Sequence, residues 1–177
     1  VDPLVTGIRE HWDGQGLHGD PGPFMAICSV ARLNQLLRKA LDDELGRLDL
    51  GRTGYAVLTT LALMSSGQAR LSTLGRWLMV HTTTVTLTVD GLEADGLVER
   101  TPHPRDRRAT LVGITARGRE RANEANLALG AHGPLSGLAG DGHEQLFEAL
   151  QSARIAVGDR EFFAAADDGD PHGAAHP

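Results

Sequence analysis

The tightest constraint in this chain lies between Leu97 and Thr115. Two short stretches rich in strand formers, Leu97 to Arg100 and Ala109 to Ile114, flank the segment Pro102-His103-Pro104-Arg105-Asp106. Proline fixes φ and has no N–H to give a ladder, so this middle segment is excluded from a strand interior and must turn. The run therefore predicts a β-hairpin with a basic tip. Directly before it, Leu92-Glu93-Ala94-Asp95-Gly96 reads as the end of a helix with glycine just past it. Directly after it, Thr115 is placed to cap a new helix, although Gly118 stands where a capping box has Glu or Gln. Helix, strand, basic turn, strand, helix is the order of elements in a winged DNA-binding unit.

Charge points the same way. Residues 97–121 hold Arg100, Arg105, Arg107, Arg108, Arg117, Arg119 and Arg121 against Glu99, Asp106 and Glu120, a local sum of +4 in a chain of net −6. The remaining residues therefore carry −10. Such asymmetry predicts one local anion-binding surface on an acidic protein, and a phosphate backbone is the simplest anion to meet it. Lys39 is the only lysine, so arginine, whose planar fork matches phosphate, supplies nearly all the positive charge.

The helix preceding the hairpin poses the hardest local question. Thr84-Val85-Thr86-Leu87-Thr88-Val89 alternates polar and apolar like a strand and is rich in β-branched residues. Read as a helix over 82–95, the same residues place Val85, Val89 and Leu92 on one face and Thr83, Thr86, Leu87 and Asp90 on the other. The helical reading is adopted because intrinsic preference is a weak prior beside tertiary context.

Elsewhere the pattern is helical. Residues 1–23 form an amino-terminal extension in which Leu4, Ile8 and Trp12 recur at helical spacing, followed by a Gly/Pro-rich loop from Gly14 to Pro23. Over 24–50, Ile27, Val30, Leu33, Leu37, Leu41 and Leu45 step by three and four along a long amphipathic helix. A second helix spans Gly51 to Ser65. A short one runs from Leu71 to Leu78, with Ser72 as its candidate cap, and would be the first helix of a helix-turn-helix. From Thr115 a helix runs to about Ala131. A last helix covers Gly142 to Val157 with Leu146, Phe147, Leu150 and Ile155 as its apolar positions, and the composition of 164–177 predicts a disordered tail.

Several classes of function are disfavoured. The chain contains no G-x-S-x-G, phosphate-binding glycine loop or H-E-x-x-H, so neither an enzyme nor a cofactor is expected. Its eight histidines lack tight ligand spacing, and no metal is expected. There is no apolar span of about 20 residues and no basic amino end followed by a hydrophobic run, so the expectation is a cytoplasmic protein without a membrane partner. Cys28 stands alone, which excludes an internal disulfide.

The residues Asp106 to Gly118, DRRATLVGITARG, resemble the wing of the MarR family of transcriptional regulators. In that family Asp, any residue and Arg lead through alternating apolar residues to a Leu-Thr or Ile-Thr pair and a Gly. Asp106, Arg108, Leu111, Val112, Ile114, Thr115 and Gly118 fall on those positions. The resemblance covers roughly residues 24–160. It implies a mainly α fold with a small β-hairpin wing: a winged helix-turn-helix over 51–114, between an amino-terminal dimerisation helix over 24–50 and carboxy-terminal dimerisation helices over 115–163. It further implies a homodimer that binds pseudo-palindromic double-stranded DNA as a repressor and responds to a small phenolic or aromatic ligand.

Roles follow for particular residues. Arg105, Arg107 and Arg108 would sit at the wing tip, where a narrow minor groove attracts arginine. Asp106, repelled by phosphates, would instead hold an arginine or the turn amides. Thr82, Thr83, Thr84 and Thr86 can hydrogen-bond phosphates and bases, and Leu87, where many family members carry a polar or basic residue, can meet a thymine methyl. Trp12, Trp77 and His81 are ligand candidates, against the plainer reading of Trp77 as core. Cys28 is a redox candidate, against the commoner role of a lone helical cysteine as a small core hydrophobe. The competing function is a MarR-like scaffold that has lost DNA binding and acts through ligand or protein contacts.

Overall fold

The computed structural model describes residues 7–104 and 109–159. Its elements in chain order are α1 (Ile8–Gly14), α2 (Gly22–Gly46), α3 (Arg52–Leu63), β1 (Gln68–Arg70), α4 (Leu71–Leu78), α5 (Thr82–Ala94), β2 (Val98–Pro102), β3 (Thr110–Ile114), α6 (Ala116–His132) and α7 (Gly142–Ala156). The fold is mainly helical with one small antiparallel sheet of strand order β1-β3-β2. None of the described helices is long and apolar enough to cross a membrane.

The hairpin expected from the prolines is present. Val98 pairs with Ile114, Arg100 with Val112 and Pro102 with Thr110, so Pro102 ends its strand. The third strand is a correction to the two-stranded expectation: Gln68, Ala69 and Arg70 pair with Gly113, Val112 and Leu111. Three residues are too few to show a period, and only the neighbouring β3 makes them a strand. Ser72 does not cap α4, whose N-cap position is Arg70 and carries no side-chain bond.

One core is shared by the lobe from α3 to β3. Val57, Leu58 and Leu61 of α3, Leu74 of α4, Val85 and Val89 of α5, and Val112 of β3 are all fully buried. Each such side chain contributes about 1.5–3 kcal/mol of transfer free energy. Helix α6 closes the lobe from behind: Ala122 and Ala125 are buried, the Tyr55 hydroxyl donates to Asn126 Oδ1 at 2.7 Å, and Arg121 Nη1 donates to the Leu48 carbonyl at 2.7 Å.

The terminal helices differ in kind. On α2 only Glu44 and Leu45 are buried, while Phe24, Ile27, Val30 and Leu36 are exposed. No residue of α7 is buried, and its Phe147 is exposed. Their apolar stripes, regular in the sequence, find little to cover them within one chain.

Candidate nucleic-acid interface

Burial settles the ambiguity of residues 82–89. A strand would put Val85, Leu87 and Val89 on one face, whereas a helix separates Leu87 from the two valines. Val85 and Val89 are 0% exposed and Leu87 is 67% exposed. The helix wins because two valines four apart, with Leu92, fill the core, which outweighs the strand preference of the threonines. Thr82, Thr83, Thr84 and Asp90 are exposed beside Leu87, with Thr86 half-buried.

Both ends of α5 are built to hold it. At its start His81 takes the N-cap position, and its Nδ1 accepts from the Thr83 N–H at 3.3 Å. At its end Gly96 adopts φ 69°. The Gly96 N–H donates to Glu93 O at 2.9 Å and the Leu97 N–H to Leu92 O at 2.8 Å, which together make a Schellman motif. Along the helix, the Thr86 hydroxyl donates to Thr82 O at 3.0 Å and that of Thr88 to Thr84 O at 2.8 Å. With its proton committed, Thr86 offers only a methyl and acceptor lone pairs, which suit a base amino group and not a phosphate.

The hairpin is locked to this helix by one arginine. Arg100 Nη2 donates to Asp90 Oδ1 at 2.6 Å, Nη1 donates to Glu93, and the Arg100 N–H donates to Glu93 Oε1 at 3.1 Å. Partial burial alone would lower the guanidinium pKa, but the bonds and charges of Glu93 and Asp90 outweigh it and leave the pKa above its ordinary value. Arg100 is thereby a positioning residue between α5 and β2.

That assignment revises the basic stretch read from the sequence. Arg119 donates to the Ala62 carbonyl at 3.2 Å. Arg121 holds Leu48 O and lies 3.5 Å from Glu124. Arg117 lines a small cavity with Asp49 and Asp95. Four of the seven arginines thus serve the fold or sit among carboxylates, and the +4 of residues 97–121 is not one surface. Arg105, Arg107 and Arg108, with Asp106, lie outside the described residues.

The remaining candidates are dispersed. His81 is exposed at the head of α5. Cys28 is half-buried on α2. Trp12 packs on Phe24 with ring centroids 5.8 Å apart, and its buried Nε1 has no acceptor among the described residues. Trp77 is half-buried against the core. It walls a cavity of about 310 Å³ beside β1, together with Arg70, Arg76 and His103. The sequence pattern does not reveal that grouping because its members come from a three-residue strand, a helix and a hairpin end.

These features match known proteins. The MarR family model matches residues 50–110. Sco5413, a MarR family transcriptional regulator from Streptomyces coelicolor, is 34% identical with a TM-score of 0.68, covering 80% of this chain and 98% of that one. The chain belongs to the MarR family. Among other MarR-type relatives, the HTH-type transcriptional regulator PecS of Dickeya dadantii (strain 3937) is 28% identical over 115 residues, 64% of this chain and 69% of PecS. A variant of Escherichia coli MarR complexed with operator DNA shares the fold at 22% identity, with a TM-score of 0.61 over 77% of this chain and 99% of that one. In this winged-helix fold the β2–β3 hairpin is the wing.

Proposed function

We propose that this MarR-family regulator binds double-stranded DNA sequence-specifically as a homodimer on a pseudo-palindromic operator, and acts as a repressor released by a small phenolic or aromatic ligand. The observation that carries the reading is α5: a helix capped at both ends, locked to the wing by Arg100, and presenting Thr82, Thr83, Thr84, Thr86 and Leu87 outward. A rigid helix with an exposed polar and methyl-bearing face suits a major groove. No arginine lies on that face, so direct readout is thin. Specificity then rests partly on DNA shape sensed by Arg105, Arg107 and Arg108 of the wing, with Asp106 ordering the tip.

The dimer reading rests on the terminal helices. A helix such as α7, apolar along one stripe with none of it buried, calls for a partner surface, and a second copy supplies the same stripe under two-fold symmetry. Trp12, whose buried Nε1 has no acceptor among the described residues, lies with Phe24 at the root of this layer. It is the better placed ligand candidate there, since a phenol oxygen would satisfy the indole donor. A ligand that prefers dimers with wrongly spaced recognition helices must lower DNA affinity by the factor that DNA lowers affinity for it.

The test is fluorescence anisotropy with duplexes selected by the wild-type protein from a random-sequence library. Selection should return two-fold symmetric sites with half-sites about one helical turn apart, and Arg108→Ala should flatten the dependence of affinity on salt by about 0.9 for each phosphate left without its cation. Failure to enrich any duplex at low salt would leave the scaffold reading, in which ligand or protein contacts replace DNA.

A further inference from the structure

We infer that α5 reads its operator by methyl contact: Leu87, flanked by the methyls of Thr83 and Thr86, meets the C5-methyl of pyrimidines in the major groove and so ranks thymine and 5-methylcytosine above uracil and unmodified cytosine. This rests on the DNA-binding reading above and names the base chemistry that it left open.

The first ground is what α5 does not carry. From Thr82 to Ala94 it has no Arg, Lys, Asn or Gln, the residues that read guanine or adenine by paired hydrogen bonds. Its two acids, Asp90 and Glu93, are of the type that accepts from a cytosine amino group. Both are engaged instead with Arg100: Asp90 Oδ1 accepts from Nη2 at 2.6 Å, and Glu93 accepts from the backbone N–H at 3.1 Å and from Nη1.

The second ground is what remains on the outer face. Thr83, Thr86, Leu87 and Asp90 lie three or four residues apart and share one side of the helix. The Thr86 hydroxyl donates to Thr82 O at 3.0 Å, and the Thr83 hydroxyl lies 3.1 Å from His81 Nδ1, the acceptor of the helix cap. With these bonds made, each threonine has a methyl to offer a base and no proton. Leu87 beside them is 67% exposed, and its isobutyl group is the largest apolar surface of the face. Such a surface discriminates bases only where a base shows an apolar group in the major groove, and the C5-methyl is that group. In 5-methylcytosine it occupies the same ring position as in thymine.

The third ground is place. Helices α4 and α5 pack on each other across residues 79–81. In a helix-turn-helix of this kind the second helix enters the groove with its amino-terminal residues on base edges, and Thr83, Thr86 and Leu87 lie in the first two turns of α5. Thr82 and Thr84 are exposed and stand about 100° to either side of Thr83. They reach the phosphates bordering the groove, contacts that position the helix without specifying sequence.

The experiment measures binding of wild type, Leu87→Ala and Thr86→Val to the library-selected duplexes with deoxyuridine in place of each half-site thymidine in turn. Both variants keep the buried Val85, Val89 and Leu92. For the wild type, loss of one covered methyl should weaken binding about fourfold, and loss from both half-sites about fifteenfold. At that position cytosine should bind as weakly as uracil, and 5-methylcytosine should recover the same factor. In Leu87→Ala the difference between thymine and uracil should vanish, and Thr86→Val should bind as tightly as wild type. A wild type that selects duplexes but binds their uracil forms equally well overturns methyl reading and leaves the regulator reading intact. So does a uracil penalty that persists undiminished in Leu87→Ala, which would place it in DNA shape sensed elsewhere. A weaker Thr86→Val would show that its oxygen reads a base and overturns the assignment of Thr86. A wild type that selects no duplex overturns both readings.

Discussion

Replacing Gly118 by alanine gives the sharpest test of how the wing is joined to the helical layer. On helix propensity alone the change stabilises, since glycine in a helix costs about 1 kcal/mol relative to alanine. The structure reverses the sign. A Cβ at position 118 would overlap the Leu97 carbonyl oxygen and lie 2.9 Å from Ile114 Cγ1. That carbonyl cannot easily withdraw: the Thr115 N–H donates to it at 3.1 Å, while the Leu97 N–H closes the end of α5 on Leu92 O at 2.8 Å. Relief would come from α6 sliding away from β2, which breaks the cap in which the Gly118 N–H donates to Thr115 Oγ1 at 3.0 Å. Overpacking costs about 1–3 kcal/mol and a broken cap about 1 kcal/mol; against a propensity gain of about 1 kcal/mol, Gly118→Ala should destabilise by about 1–3 kcal/mol. Gly91, on α5, is the control, because a Cβ there meets nothing within 4 Å. Gly91→Ala should stabilise by about 0.4–1 kcal/mol. Urea unfolding followed by circular dichroism, at one protein concentration for all three proteins, reads both changes. A Gly118→Ala midpoint at or above that of wild type would refute the reasoning.

Three further outcomes are expected. In a double-mutant cycle, Arg100→Gln and Glu93→Gln should couple by about 0.5–1 kcal/mol, no more, because Glu93 and Asp90 are each over a third exposed to screening solvent; unfolding free energies that add within error would remove the lock. Leu87→Ala should change stability by less than about 0.5 kcal/mol, as its side chain is mostly exposed, yet weaken binding to a selected duplex by roughly 1 kcal/mol if it covers a thymine methyl; a drop in stability with no change in anisotropy would show the reverse. Met79, the exposed C-cap of α4 at φ 52°, should gain about 1 kcal/mol on replacement by glycine, and a lower urea midpoint would count against the strain.

Legibility in the sequence followed the range of the interactions. The hairpin was legible because two prolines forbid one conformation locally, and the Thr115 cap because its acceptor and donor lie three residues apart. The half-empty capping box was visible as an anomaly but not explicable: glycine replaces Glu or Gln because the Leu97 carbonyl, 21 residues earlier, occupies the space. The arginine-rich stretch was overread for the same reason. Its charges are adjacent in sequence, but Arg100, Arg119 and Arg121 find partners on α5, α3 and the α2–α3 turn.

By itself, then, the sequence determined what short-range sterics and periodicity decide: the turn between the prolines, the helical stripes of α2 and α7, and the caps around the wing. Tertiary structure decided the rest. It turned Val85 and Val89 inward and Leu87 outward against local strand preference, since burying two valines outweighs a few tenths of a kcal/mol per residue of propensity. It made a strand of Gln68–Arg70, and it gathered Arg70, Arg76 and His103 around one cavity. Charge in a sequence is only a count; which cations face outward depends on the carbonyls and carboxylates that folding brings to them.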